Sequence, residues 1–224
     1  MENQYESFIH HHFNGNHIFA GQVFGLFISV AVFWIVGAAY TFIDIYRWPK
    51  FILKYKIQTD KSQVNEKNLK RLIKQVLINQ IIGIIIGYSI HSLKMNYKLF
   101  PQPSTQIPTI SRFITEWISF ILIREVLFYY LHRLCHHGYL YRHIHKRHHE
   151  WQTTIAIAAI YCHPIEHIMV NLIPVIIGPL LMGSHIVVGN LWLLYTILLT
   201  LNDHCGYHFP WSLSPVFHDF HHLK

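Results

Sequence analysis

At 224 residues the chain suits one domain, but 52% hydrophobic and 13% charged residues with mean hydropathy +0.25 exclude an ordinary soluble globule, which carries about 25% charged residues. The formal net charge of +7 is unevenly placed, because nine of the eighteen Lys and Arg lie between Arg47 and Lys74. With no aromatic–basic ladder beside it, that cluster excludes a nucleic-acid surface and fits membrane orientation by a positive loop.

Residues 1–17 are polar and contain no Lys or Arg. The opening MENQYES has no basic n-region, and the first apolar run starts late and is too long for a signal peptide. Residues 18–43 are therefore predicted as an uncleaved first span. His10, His11 and His12 read as a surface tract, and Tyr46 and Trp48 suit an interfacial belt. Residues 47–74 form a basic loop whose end, NEKNLKRLIK, is compatible with a surface helix leading into a second span over 75–93. His91, alone at the end of that span, reads as a satisfied or interfacial histidine. Pro101, Pro103 and Pro108 mark a loop over 94–111. Residues 113–131 read as a third apolar helix carrying Glu116, Arg124 and Glu125, charges that are costly in a span and turn to protein or water. Glu125 lies seven residues before His132, two helical turns away, and either orients a ligand there or pairs with Arg124.

The stretch HRLCHHGYLYRHIHKRHH follows, over 132–149. At helical spacing His132 and His136 share a face, and His145, His148 and His149 share another. The last spacing recurs in His218, His221 and His222, and further i, i+4 pairs occur at His163 with His167 and at His204 with His208. Pro164 suits a helix start. Residues 165–182 and 186–202 are predicted as a membrane-embedded helical hairpin. Cys135, Cys162 and Cys205 are odd in number, so no disulfide framework is implied; small, reduced, packed residues are a simpler reading than ligands. If the 47–74 loop is cytosolic and the third helix crosses, every histidine cluster emerges on the cytosolic face, beside Arg133, Arg142, Lys146 and Arg147.

Neutral imidazole ligates zinc, iron, copper and nickel. Fifteen histidines from His132 onward, in repeated sets, exceed the four ligands of a structural zinc site and point to two metals. Glu150, Glu166, Asp203 and Asp219 are the only carboxylates after His132, too few for a carboxylate-bridged di-iron bundle. Asp203 and Asp219 either hold a ligand ring in one tautomer or cap helices. A metal pair at a membrane surface suits oxidation of an unactivated C–H bond in a lipid. No P-loop, G-x-S-x-G or Rossmann glycine signature is present, so electrons would arrive from a partner docked on the basic face.

HRLCHH, HKRHH and HDFHH resemble the three histidine boxes of the fatty acid hydroxylase / sterol desaturase superfamily, over about 117–224. EVLFYY, YCHPIEH, NLIPVIIGPLLMGSH and HCGYHFPWSLSP look most like its fatty acid hydroxylase domain-containing members, and next its C-4 methylsterol oxidases. The resemblance implies an all-α integral membrane protein of about four to five membrane-embedded helices with a cytosolic, histidine-rich di-metal cap. It divides the chain into a membrane anchor region, 1–112, and a hydroxylase domain, 113–224. It implies a multi-pass enzyme of the endoplasmic reticulum membrane that oxidises a lipid with O2, two Fe ions and electrons from NAD(P)H by way of cytochrome b5 or its reductase; zinc is compatible with the isolated protein. The implied substrate is a sterol intermediate, with fatty-acyl or sphingolipid hydroxylation, or a non-catalytic metal-binding scaffold, as alternatives. A zinc transporter ranks last, because its ligands would line the spans. The resemblance carries His132, His136, His137, His145, His148, His149, His204, His218, His221 and His222 over as metal ligands, with His208 at a position where methylsterol oxidases often have an acid. His163, in the Y-x-H-P-x-E stretch, is a ligand or a structural residue. Relatives continue past HHLK with an Asn/Gly-containing segment, so the resemblance makes the domain ending at Lys224 a truncated one.

Overall fold

A run of thirty residues with one charge, Asp44, forms helix α2, His17–Tyr46. Asn16 opens it by accepting from the Phe19 amide at 2.9 Å, and Arg47 closes it in the left-handed region at φ 55°. The computed structural model describes residues 4–58, 64–97, 100–104 and 106–223; parts of the expected loops (59–63, 98–99 and 105) and the chain end at Lys224 lie outside them. A short helix α1, Gln4–Phe13, precedes α2 where the polar opening showed no such signal. Helix α3, Lys50–Leu53, occupies the start of the basic loop.

The expected surface helix and second span are one 32-residue helix, α4, Glu66–Tyr97. Its exposed first turns, with Lys70 on Glu66 at 2.6 Å, continue without a break into the apolar run, because no Gly or Pro interrupts the junction. Helix α5, Ile110–Cys135, begins at Thr109, whose hydroxyl accepts from the Arg112 amide at 3.3 Å. Beyond it come α6, Gly138–His143, and two 3-10 turns, His145–Glu150 and Ala156–Ile160. Helix α7, Pro164–Glu166, widens into a π turn at His167–Leu172 and continues as α8, Ile173–Met182. The widening ends beside Pro174, which has no N–H to continue the ladder. Gly183, at φ 57°, turns the chain into α9, Ile186–His204, and α10, Val216–Leu223, follows.

The architecture is that of an all-α integral membrane protein. Among the described residues four stretches are long and apolar enough to cross a bilayer: His17–Tyr46, Glu66–Lys94, Pro164–Met182 and Ile186–His204. Among the described residues the only β feature is an isolated bridge between Lys56 and Tyr207. Helix α5 is too charged to count by hydropathy, yet it packs along α8. Its first turn reaches the α8–α9 corner, where Arg112 donates to the Met182 carbonyl at 3.4 Å and to Glu116 at 2.8 Å. Glu116 is fully buried, so the charge is paired inside the protein, as such charges must be.

The core lies beneath the histidine end. Phe33, Leu72, Val76, Trp151, Ile155 and Leu201 are buried there around the turn Ala156–Ile160. Asn79 of α4 donates to the carbonyls of Ile160 and Cys162 at 2.8 and 3.1 Å. The turn fits against α2 at Gly37, where a Cβ would fall 2.5 Å from Ile157 Cγ2. Asp44 receives Lys56 at 2.6 Å and the Tyr207 hydroxyl at 2.7 Å, tying the end of α2 to the loop after α9. The three cysteines are free and buried, packed as small apolar groups.

Candidate metal centre

Four segments carry the histidines to one place: the C-terminal turn of α5, the 3-10 turn at 145–150, and the facing ends of α9 and α10. They gather two groups of four, His132, His136, His145 and His221 in one and His148, His204, His218 and His222 in the other, the ligand atoms of each within 4.8 Å of one another. In the first, Nε2 atoms meet at 2.9 Å for His132 with His221, 3.1 Å for His136 with His221 and 2.9 Å for His145 with His136. In the second, the spacings are 3.5 Å for His204 with His148, 2.9 Å for His218 with His204 and 3.1 Å for His222 with His218. His149 Nε2 lies 3.0 Å from His145 Nε2, and the His149 ring stacks on His222, so it stands between the groups on the side of the first.

The spacing of the motifs explains the division. Residues 145–150 form a 3-10 turn, not the α-helix expected. Its rise of about 2 Å per residue sets His145 and His148 about 6 Å apart along the axis, one in each group. Adjacent histidines diverge by roughly 100–120° around their helix. His148 and His149 therefore part, and so do His221 and His222 on α10. The expectation that His145, His148 and His149 serve one face is corrected: each H-x-x-H-H box feeds both groups.

The buried rings are held neutral, which is the ligating form. Burial first, then the neighbouring imidazoles His132, His149, His136 and His221, push His145 down to about 2. Burial lowers His149 and His221 to about 4, and His148, His218 and His222 also lie well below their ordinary value. Three Nδ1 atoms face acceptors: His145 meets Glu166 Oε1 at 2.7 Å, His204 meets the Thr200 carbonyl at 2.9 Å and His148 meets the Tyr161 carbonyl at 3.3 Å. A carbonyl only accepts, so Nδ1 carries the proton and Nε2 is left with its lone pair. Lone pairs facing one another near 3 Å repel unless a cation lies between them. Metal–nitrogen bonds of about 2.1 Å at tetrahedral or octahedral angles place neighbouring donors about 3.0–3.4 Å apart. The donor set fits a metal ion in each group.

The other expected site residues are placed differently. His137 is exposed and its ring meets neither group; it serves as the N-cap residue of α6. The His208 side chain is exposed too, while its backbone amide donates to the Tyr55 carbonyl at 2.9 Å. His163 Nδ1 accepts from the Ile165 amide at 3.2 Å, a cap for α7. Glu125 is paired with Arg124. Asp203 adjoins His204 in the chain without touching a ligand ring among the described contacts. Asp219 is buried and accepts from Thr154 at 3.0 Å and from Gln58 at 2.9 Å, fixing α10 to the loop below it. Glu166, the one carboxylate on a cluster histidine among the described residues, is not singled out by the sequence. Its signal is an acid in the first turn after His-Pro at the start of an apolar helix, where water is too scarce to leave it unpaired.

Residues 117–224 match the fatty acid hydroxylase family. The chain is 31% identical to methylsterol monooxygenase 2-2 of Arabidopsis thaliana over 202 residues, 86% of this chain and 73% of that protein. The chain belongs to the fatty acid hydroxylase family. It is also 41% identical over 214 residues to human fatty acid hydroxylase domain-containing protein 2, covering 92% of this chain and 64% of the relative. It is 30% identical over 179 residues to fatty acid hydroxylase ahd1 of Mycosarcoma maydis, covering 46% of that protein. The chain thus spans about two thirds or less of the fatty acid hydroxylase relatives. No solved structure matches it. Both four-histidine groups fall within the part of this family member that the family match covers.

Proposed function

We propose that the chain is a membrane di-iron oxidoreductase of the endoplasmic reticulum that hydroxylates a lipid with O2, a methylsterol intermediate, as the name of the Arabidopsis relative suggests. The observation that carries the reading is the pair of four-imidazole groups at the ends of membrane-spanning helices. His132, His136, His145 and His221, with His149 beside them, would hold one ion; His148, His204, His218 and His222 would hold the other. A bound iron pair supplies the redox capacity to activate O2 against an unactivated C–H bond. The overall change is R–H + O2 + 2e⁻ + 2H⁺ → R–OH + H2O, with the electrons coming from NAD(P)H through cytochrome b5.

The chain's own groups do the rest. Glu166 and the carbonyls of Thr200 and Tyr161 hold three rings in the ligating tautomer. Asp219 fixes α10, which brings three of the ligands. Trp151, Ile155 and Leu201 close the underside against water. Exposed Arg133, Arg142 and Lys146 surround the site and give an acidic electron carrier a docking face on the cytosolic side. The anchor region 1–112 holds the hydroxylase domain 113–224 at that face.

Purified protein is expected to hold about two metal equivalents, and His148→Ala combined with His221→Ala should remove both; unchanged stoichiometry would refute the two-centre reading. A sterol mixture supplied with cytochrome b5, its reductase and O2 should yield an oxidised sterol. A product only from fatty acyl chains would favour the alternative that the Mycosarcoma maydis relative's name suggests.

A further inference from the structure

A second site lies at the other end of the helices. The N-terminal part of α2, the C-terminal part of α4, the end of α8 and the start of α9 enclose an open, mostly apolar cavity of about 280 Å³. Helix α9 has its first residues at this cavity and its last, His204, in the histidine cluster. Its nineteen residues separate the two by about 28 Å. The outer lip includes Val23, Ile84 and Tyr88, which are exposed on the flank of the helices.

Two of the cavity's polar groups, Lys94 and Ser184, are not consumed by the fold among the described residues. Lys94 lines it and is only 8% exposed. A lysine at a helix end ordinarily snorkels its ammonium out to water; this one is enclosed, and no ion pair or side-chain hydrogen bond involves its ammonium among the described residues. Among the described residues no Asp or Glu lines the cavity. Ser184 lines it as well, 7% exposed, and its hydroxyl is buried without a partner among the described residues. His91 completes the group, its ring packed on Phe19 with centroids 5.1 Å apart. By contrast Asn190 and Trp192, also in the wall, are spent on the carbonyls of Gly21 and Val175. A buried cation and a buried hydroxyl left unpaired in the wall of an apolar groove are costly, and a single anion with several acceptor oxygens satisfies both.

We propose that this cavity binds an acidic phospholipid of the leaflet opposite the histidines, one acyl chain lying in the groove and the phosphate oxygens accepting from Lys94 and Ser184. The volume sits near the lower end of about 300–1,000 Å³ typical of small-molecule sites, enough for a segment of one chain. Charge complementarity selects the headgroup, and the exposed apolar lip lets the chain enter from the bilayer. The site does not depend on the metal reading and stands or falls separately from it.

The full chain, purified with mixed phosphatidylglycerol and phosphatidylcholine of matched acyl chains, is to be examined by native mass spectrometry. It should retain phosphatidylglycerol with about tenfold preference, about 1.4 kcal/mol. Lys94→Met should equalise the two lipids and Lys94→Arg should keep the preference. Gly189→Leu should lower retention of both, because a side chain there enters open space on the cavity wall. That last variant also decides the matter if Lys94→Met fails to fold. Equal retention by the unaltered protein, or an unchanged preference in Lys94→Met, would overturn the proposal. So would displacement of the phospholipid by oleate or by inorganic phosphate alone, which would assign the site to a carboxylate or to a free anion.

Discussion

His145 shows how one side chain is made into a ligand. It is fully buried, its Nδ1 lies 2.7 Å from Glu166 Oε1, and its Nε2 faces His136 and His149. Removing the acceptor frees the ring to flip or to change tautomer. Glu166→Gln is therefore expected to weaken metal binding roughly 10- to 100-fold, read by competition with a coloured chelator; a change below about twofold would rule out the orienting role. The contrast between neighbours is equally sharp. His136 reaches His145 and His221, whereas His137 turns to the surface. His136→Ala should lose metal from the first group, and His137→Ala should retain full stoichiometry and the same melting temperature. Metal analysis of the two variants side by side tests the placement.

At the scale of elements, the turn Ala156–Ile160 is what lets α2, α4 and α9 close beneath the histidines. Gly37 is the contact that has no room for a side chain, with Ile157 Cγ2 at 2.5 Å from a would-be Cβ. Ile157 is buried and β-branched, so it cannot swing away freely. Gly37→Ala should destabilise by about 1–3 kcal/mol, and adding Ile157→Ala, which removes the clashing methyl, should cost less than the sum of the two single changes. Additive thermal shifts would show that the contact is slack. Helix α10 makes the complementary case. Its apolar residues Phe217 and Phe220 are exposed while His222 and Asp219 face inward, so its position rests on polar links. Asp219→Ala, which strips Thr154 and Gln58 of their shared acceptor, should weaken metal binding in both groups, because α10 serves both.

At the scale of the molecule, the metal-free centre is a reservoir of acid sensitivity. Histidines with an ordinary value near 6.5 in the unfolded chain fall to about 4 at His149 and His221 in the folded one. The unfolded state then binds more protons than the folded state across that interval, so stability falls as pH falls. The contribution is fully present above pH 6.5 and is lost as pH drops through that value toward 4 and below. Thermal melts of metal-free protein should show a marked decline across this window, and His149→Phe with His221→Phe should flatten it. Loaded protein should be more resistant above the pH at which protons displace the metal.

Much of this was legible along the chain. The apolar runs at α2, α4, α7–α8 and α9 stand out because a bilayer-length helix needs about twenty apolar residues. The histidine boxes stand out because ligand chemistry restricts residue type and spacing. Both signals are local. The fusion of the basic surface helix with the second span was not signalled, since amphipathic and apolar helices share the same backbone ladder and nothing breaks it at residue 75. The 3-10 geometry at 145–150 was also hidden, because i, i+3 and i, i+4 repeats read alike in either helix type.

What the sequence determined by itself, then, is the class: an all-helical membrane chain whose histidines belong together. That follows from hydropathy and residue chemistry, which act over a turn or two of helix. Which histidine joins which group was decided only by the tertiary structure. The partition depends on the phase and rise of four separate segments meeting end to end, and no single segment contains it. The same is true of Glu166, which reaches His145 across twenty-one residues, and of Lys94, enclosed by helices that lie far apart in the chain.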